Sequence, residues 1–137
     1  MKSVFVDTSF YVASLSPHDT DHVVARKLLA DFTGTFVTSE YVLLELGSFF
    51  SRPPDRTSFV DFARWTIADS ATEVIWSNDD LFEDGLSLFQ NRPDKNWSLT
   101  DCLSFVIMNR MDIQDAFSLD HHFVQAGFHV LPELDKE

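Results

Sequence analysis

Cysteine, basic residues and long apolar runs are scarce in this chain, and each shortage excludes a class of protein. A single cysteine, Cys102, excludes an internal disulfide. No apolar run approaches the roughly 20 residues that a membrane-spanning helix needs. The first residues also lack the charged segment and long apolar stretch of a secretory signal, so a cytoplasmic location is the default expectation.

Basic residues are far outnumbered by acidic ones. Ten Lys and Arg against 22 Asp and Glu give a formal net charge of −12. Because phosphate binding is driven by neutralising Lys and Arg, this balance argues against an open, positively charged nucleic-acid surface. It fits a basic partner, a site that holds divalent cations, or simply an acidic soluble protein. With 137 residues, 45% of them hydrophobic, the chain is expected to form a single domain over residues 1–137.

Short apolar runs alternate with longer helical patterns along the chain. The β-branched and aromatic runs predict five strands, at residues 4–6, 35–37, 73–76, 116–119 and 129–131. Apolar residues at helical spacing predict helices at 9–15, 20–32, 38–50, 57–70, 79–90, 100–111 and 120–126. The alternation is typical of an α/β fold with a mainly parallel sheet of about five strands. In such sheets ligands bind beyond the carboxyl ends of the strands.

Four carboxylates occupy positions where this fold would place a site. Asp7 directly follows the first predicted strand, and Asp120 directly follows the fourth. Helix capping is an alternative role for both. Asp101 lies at the start of an apolar helix, where a capping box with Ser98 is the alternative. Glu45 lies inside the apolar run YVLLELGSFF, and a buried carboxylate is costly unless it is paired or bound to a metal.

The four acids are more informative together than singly. Two like charges about 5 Å apart repel by roughly 3 kcal/mol at an effective dielectric constant of 20. The sequence offers no basic cluster to offset such repulsion, so hard divalent cations with oxygen ligands are expected instead. Mg²⁺ or Mn²⁺ suits carboxylate, hydroxyl and water ligands. Zinc is disfavoured, because one cysteine and scattered histidines give no zinc-ligand spacing.

The sequence around these acids resembles the PIN-domain family, and in particular its small VapC-type toxins. The matching pieces are VFVDTS, TSEYVLLEL, SLTDCLSFVIM and AFSLDHHFVQAGF, which follow the family's order across nearly the whole chain. The resemblance implies a Rossmann-like, three-layer α/β/α fold and a Mg²⁺- or Mn²⁺-dependent endoribonuclease. It also implies a homodimer that acts as the toxin of a toxin–antitoxin pair, with an antitoxin that covers the site.

Residue by residue, the resemblance implies an acidic quartet that binds the metal and serves catalysis: Asp7, Glu45, Asp101 and Asp120. Thr8 and Ser118 match hydroxyl positions that support the site. Glu40 is the alternative glutamate, although a role at the start of its own helix is open to it. The chemistry expected from these groups is hydrolysis by a metal-activated water, which requires no Ser–His or Cys–His nucleophile pair.

The same residues bear on two other functions. A catalytically inactive PIN-fold module that serves as a binding or scaffold protein is the alternative. A phosphatase or phosphotransferase with Asp7 as its nucleophile is disfavoured, because that chemistry commonly needs a second acid two residues later, where Ser9 stands.

The surroundings of the site also carry expectations. Hydrated surface roles are expected for His121 and His122, rather than metal binding. RNA would need cations near an otherwise acidic site, and four residues could gather at its rim: Arg52, Arg56, Arg92 and Lys95.

Overall fold

A computed structural model describes residues 2–134. Its strands are β1 (Ser3–Val6), β2 (Thr35–Ser39), β3 (Thr72–Ile75), β4 (Asp115–Phe117) and β5 (His129–Leu131). They form one sheet in the order β3-β2-β1-β4-β5, in which every neighbouring pair is parallel. The helices of the described residues are α1 (Thr8–Leu15), α2 (His22–Asp31), α3 (Glu40–Phe49), α4 (Pro53–Ala68), α5 (Asp79–Asn91), α6 (Leu99–Arg110) and α7 (His121–Gln125).

The predicted α/β fold is confirmed, as a three-layer α/β/α arrangement around a parallel sheet. The central strand β1 shows why its sequence is an unbroken apolar run. Val4, Phe5 and Val6 are all at most 1% exposed, because helices cover both faces of a parallel sheet. The prediction of a single domain over residues 1–137 stays a prediction. Within residues 2–134, no helix is long and apolar enough to cross a membrane.

Most helix boundaries differ from the sequence-based prediction by one to four residues, and two of the differences have a clear physical cause. Helix α3 begins at Glu40 rather than at Thr38, because the chain up to Ser39 continues strand β2. The Ser39 hydroxyl then caps α3 by accepting a hydrogen bond from the Val42 N–H at 3.2 Å. Helix α4 begins at Pro53, four residues earlier than predicted. Proline is tolerated there because the first turn of a helix has no use for its missing N–H.

The strand order reverses at β1, which places the site. From β1 the chain builds β2 and β3 on one side, then returns to add β4 and β5 on the other. The crevice outside the carboxyl ends of β1 and β4 is therefore the topological switch point of the sheet. The Asp7 N–H donates to the Phe117 carbonyl at 3.0 Å, which joins the two strand ends directly.

Aromatic packing fixes α6 and α7 against the sheet. The rings of Phe105 on α6 and Phe123 on α7 meet edge to face, with centroids 4.9 Å apart. Phe123 also stacks on Phe5 of β1 at 6.2 Å. All three rings are at most 2% exposed, so the first turn of α6 and the residue before α7 are held rigidly at the same edge.

Candidate active site

A cavity of about 740 Å³ lies at the carboxyl edge of the sheet. All four acids of the predicted quartet contribute to its walls, although they come from four separate parts of the chain: Asp7, Glu45, Asp101 and Asp120. The chain thus brings together residues that are up to 113 positions apart in its sequence.

Asp7 is 4% exposed and stands between β1 and α1. Its side chain does not cap α1, so the capping alternative for this residue is wrong. Instead, Oδ2 accepts hydrogen bonds from the hydroxyls of Ser9 at 2.9 Å and Ser118 at 3.0 Å. Burial raises the pKa of Asp7 to about 7 against the lowering effect of the two hydroxyls, and repulsion from Asp101 adds to the rise.

Asp101 is held by its own helix and by α7. It forms the predicted capping box of α6 with Ser98: the Ser98 N–H donates to Asp101 Oδ2, and the Asp101 N–H donates to the Ser98 hydroxyl, each at 3.0 Å. The same Oδ2 lies 2.8 Å from His122 Nδ1. Burial raises the pKa of Asp101, against the hydrogen bonds from Ser98 and His122.

Asp120 caps α7 and shares a histidine with Asp101. Its Oδ1 accepts a hydrogen bond from the His122 N–H at 2.9 Å and lies 3.3 Å from His122 Nδ1. The Nδ1 of one imidazole therefore faces two carboxylates, and a proton on that atom attracts both. The capping roles predicted as alternatives for Asp101 and Asp120 exist, but each of them uses one carboxylate oxygen only.

In each of the three aspartates, the hydrogen bonds described above hold only one of the two carboxylate oxygens. Asp7 and Asp101 are anchored through Oδ2, and Asp120 is anchored through Oδ1. No side chain among residues 2–134 hydrogen-bonds to the second oxygen of any of them. Within the same residues, no Lys or Arg forms an ion pair with them either. The site therefore presents fixed oxygen ligands without a permanent counter-charge, which is the donor set that Mg²⁺ and Mn²⁺ prefer.

Thr8 supplies a further sign that the site is built for a ligand. Its side chain is 8% exposed and belongs to the wall of the cavity. Its hydroxyl is buried without a hydrogen-bond partner in the described part of the chain. Because an unsatisfied buried hydroxyl costs about 1–3 kcal/mol, a ligand that bonds to it would remove that cost. The residues present therefore fit a hydrated divalent cation.

Glu45 lines the cavity, but its expected burial is wrong. The side chain is exposed, because α3 turns Leu46 into the core and Leu44 and Glu45 away from it. The apolar run around Glu45 thus includes an exposed apolar face as well as core residues. Glu40, the alternative glutamate, lies elsewhere: its Oε1 accepts the Ser77 N–H at 2.8 Å, beyond the end of β3. The geometry favours Glu45 as the fourth acid.

His122 and Asp19 were not predicted as parts of the site. The surface position expected for His122 is wrong, since its half-buried ring contacts Asp101 and Asp120. In the described residues, His122, Asp101 and Asp120 each offer a ligand atom, and these atoms lie within 4.8 Å of one another. The sequence feature that could have indicated a site role for His122 is its position two residues after Asp120. Asp19 lies in a loop and carried no signal.

The loop before α6 is tied to α7 by a tryptophan. Trp97 is 6% exposed, and its Nε1 donates to Gln125 Oε1 at 3.1 Å. Arg92 lies over the Trp97 ring, 4.9 Å from its centroid, and pairs with Asp94. These contacts hold the element that carries Asp101 beside the element that carries Asp120.

None of the four cations expected at the rim lines the cavity itself. Arg92 contacts Trp97 and pairs with Asp94, and Lys95 is not part of the cavity wall. Arg52 instead lines an adjoining groove, and Arg56 follows one turn later on α4. The expected basic rim is therefore present on one side at most.

Comparison with known proteins agrees with this architecture. The family model of the PIN domain matches residues 4–129. The 23S rRNA-specific endonuclease VapC20 of Mycobacterium tuberculosis is 30% identical over 131 residues, which cover 95% of this chain and 99% of that protein. The crystal structure of VapC20, titled a sarcin-ricin loop cleaving toxin, matches with a TM-score of 0.84 over 91% of this chain and 95% of the other.

More distant structures share the fold. FitAcB from Neisseria gonorrhoeae matches at 14% identity with a TM-score of 0.66, over 93% of this chain and 95% of the other. VapBC2 from Rickettsia felis, bound to a DNA fragment from its promoter, matches at 15% identity with a TM-score of 0.66, over 93% and 96%. The resemblance inferred from the four sequence pieces is confirmed, and the chain belongs to the PIN-domain family.

Proposed function

We propose that this protein is a divalent-metal-dependent endoribonuclease that hydrolyses RNA phosphodiester bonds. The observation that carries the proposal is the hydrogen bonding of three carboxylates, those of Asp7, Asp101 and Asp120. Each acid is fixed through one oxygen and leaves the other without a side-chain partner, at the switch point of a parallel sheet. Helix capping accounts for the anchored oxygens of Asp101 and Asp120, but it does not require the three carboxylates to lie in one cavity. Their mutual repulsion there raises the free energy of the folded protein.

In this proposal the metal is Mg²⁺ or Mn²⁺, and its ligands are the acids of the quartet: Asp7, Glu45, Asp101 and Asp120. When bound, such a cation lowers the pKa of a water ligand and stabilises charge on the phosphate. Ser118 and Ser9 hold Asp7 in place through their hydroxyls. Thr8, whose buried hydroxyl has no partner among the described residues, lines the same cavity.

The chain's own groups also handle protons. Because burial raises the pKa of Asp7 to about 7, this carboxyl group is only partly ionised at neutral pH when no cation balances its charge. A bound cation would favour its ionised form. The exposed Glu45 faces the same cavity from α3, where it can orient the attacking water in addition to its role as a metal ligand.

The relatives suggest a substrate class and a partner. VapC20 is named as an endonuclease specific for 23S rRNA, and its structure is titled a toxin. By this similarity we propose ribosomal RNA of the large subunit as the first substrate to test. We also propose that the protein is the toxin of a type II toxin–antitoxin pair, forms a homodimer and acts in the cytoplasm.

The test is cleavage of labelled RNA by the purified protein. Large-subunit ribosomal RNA and a mixed RNA pool are incubated with EDTA, Mg²⁺ or Mn²⁺, beside the variants Asp7→Asn and Asp115→Asn. Asp115 lies at the opposite edge of the sheet and is the matched control. We expect metal-dependent cutting that Asp7→Asn abolishes and Asp115→Asn retains. Cutting that survives in Asp7→Asn would point to a contaminant and overturn the site.

A further inference from the structure

A second groove of about 370 Å³ runs beside the metal cavity. It lies between the end of α1, the end of α3 and the start of α4, and it shares Phe49 with the cavity. Glu45 and Phe49 are four residues apart on α3, so their side chains lie on the same face of that helix. A chain that occupies the metal cavity can therefore continue past Phe49 into this groove.

The groove differs from the cavity in charge. Arg52 lines it, with His18 also in its wall, and Arg56 follows on the first turns of α4. Lys2, Lys27, Arg92 and Arg110 all form ion pairs with carboxylates. Among residues 2–134, no carboxylate forms an ion pair with Arg52 or Arg56, although Arg56 Nε donates a hydrogen bond to the Ser51 carbonyl at 2.7 Å. Arg26, Arg64 and Lys95 also form no ion pair among these residues, but none of them lines the groove.

One acid lies within the groove and offsets part of the positive charge at the start of α4. Asp55 belongs to the wall and to the first turn of α4, where the helix dipole favours a negative group. It makes no ion pair with Arg52 within the described residues. Two arginines and one aspartate leave the start of α4 with a formal charge of +1, in a chain whose net charge is −12.

The groove also exposes an aromatic face. Phe49 is 59% exposed, and its ring meets that of Phe50 edge to face, with centroids 5.0 Å apart. The contact with Phe50 restricts the ring of Phe49 while leaving much of it open. Exposed aromatic rings next to unpaired arginines are the combination that binds single-stranded nucleic acid, by base stacking and phosphate pairing.

We propose that this groove binds the RNA strand on one side of the scissile phosphate. A base stacks on Phe49, and the adjoining phosphate pairs with Arg52, with Arg56 as a second cation. This inference rests on the proposed function, because it assigns a path to the RNA that the metal cavity cleaves. RNA is favoured over an acidic or apolar peptide, since the groove joins the proposed metal site for phosphate and combines a stacking ring with arginines that have no carboxylate partner among residues 2–134.

Binding is measured first, so that the result does not depend on catalysis. Fluorescence anisotropy follows a labelled single-stranded RNA of about 20 nucleotides with full-length protein in the Asp7→Asn background and Mg²⁺. Arg52→Gln and Phe49→Leu are each added to that background, and Arg64→Gln, also on α4 but not in the groove, is the matched control. We expect Arg52→Gln to weaken binding about threefold to tenfold and to reduce the salt slope by about one. Phe49→Leu weakens binding about fivefold or more.

Kinetics then separates the groove from the chemistry. In the active protein, Arg52→Gln raises KM about threefold to tenfold for the same RNA and leaves kcat unchanged, while a dinucleotide substrate is cut equally by both proteins. If wild-type protein cuts no RNA, the proposed function fails, and the binding comparison still decides the groove. If Arg52→Gln and Phe49→Leu bind RNA as tightly as Arg64→Gln does, the inference is overturned, and a protein partner becomes the occupant to seek.

Discussion

The carboxylates of Asp7 and Asp115, at the two edges of the sheet, differ in whether they have a cationic partner. At the carboxyl edge, Asp7 Oδ2 accepts hydrogen bonds from the hydroxyls of Ser9 and Ser118, and the carboxylate has no cationic partner among residues 2–134. At the amino edge, Asp115 is paired through both oxygens. Its Oδ1 lies 2.9 Å from His129 Nδ1, and its Oδ2 lies 3.3 Å from Lys2 Nζ.

The pKa values of Asp7 and Asp115 are shifted in opposite directions, because only Asp115 has cationic partners. Burial raises the pKa of Asp7 to about 7 despite its hydrogen bonds. Burial also acts to raise the pKa of Asp115, but His129 and Lys2 outweigh it and hold that pKa below its usual range. A carboxylate with both oxygens paired is part of the structure. A carboxylate with one oxygen anchored and no counter-charge is prepared for a ligand that brings positive charge.

The largest expected effect lies in catalysis. Asp101→Asn keeps the capping box geometry but removes one carboxylate from the proposed metal site, so RNA cleavage should fall by about a hundredfold or more. Asp115→Asn removes an acid from the other edge and should leave the rate unchanged. Initial rates with Mn²⁺ on one labelled RNA measure both. Equal losses in the two variants would erase the distinction between the edges.

The second largest effect is expected in the pH dependence of the free energy of unfolding. The pKa of Asp7 is raised in the folded protein, so the unfolded chain ionises first as the pH rises. In EDTA the free energy of unfolding should therefore fall between about pH 4 and pH 7, by up to about 4 kcal/mol. Urea denaturation at pH 5 and pH 8 measures the change. Asp7→Asn should flatten it, and an identical pH response in wild type and variant would show that Asp7 is not so perturbed.

The histidine between two acids provides a smaller effect. His122→Phe keeps a ring of similar size but removes the Nδ1 that faces Asp101 and Asp120. We expect cleavage and Mn²⁺ affinity to fall about tenfold, as for other groups that orient metal ligands. His122→Gln, which retains a donor, should recover part of the loss. Wild-type rate and affinity in His122→Phe would show that the ring does not position the carboxylates.

The smallest effect belongs to the amino edge. Asp115→Asn should lower the free energy of unfolding by less than about 1 kcal/mol at pH 7, because Lys2 and His129 are mostly exposed and solvent screens such pairs. Urea denaturation in parallel with wild type measures it. A loss above about 2 kcal/mol would mean that the paired acid is as critical to the fold as the core.

Much of the site was predictable because it follows from topology. Asp7 comes directly after β1. Asp120 lies three residues beyond β4, because that strand ends at Phe117 and not at the predicted residue 119, but parallel strands still bring both carboxyl ends to one edge. Asp101 was predictable from the start of an apolar helix. The structure brings these three to one cavity, as expected. Their roles as metal ligands stay predictions.

The errors arose where sequence cannot show which way a side chain points. Glu45 lies in an apolar run, but that run serves both a core face and an exposed face of α3, with Leu46 buried and Leu44 exposed. His122 follows Asp120 by two residues, and only the packing of α7 against α6 turns its ring toward Asp101. Contacts between distant elements decide both cases, and local pattern does not record them.

The most direct test of the account is calorimetric titration with Mn²⁺ in the absence of RNA. We predict that wild type and Asp115→Asn bind the metal alike, and that Asp7→Asn and Asp101→Asn bind it at least about tenfold more weakly. Absence of binding to wild type, or equal binding by all four proteins, would contradict the central claim that Asp7, Asp101 and Asp120 form a metal site. It would favour the alternative function, a PIN-fold module without catalytic activity.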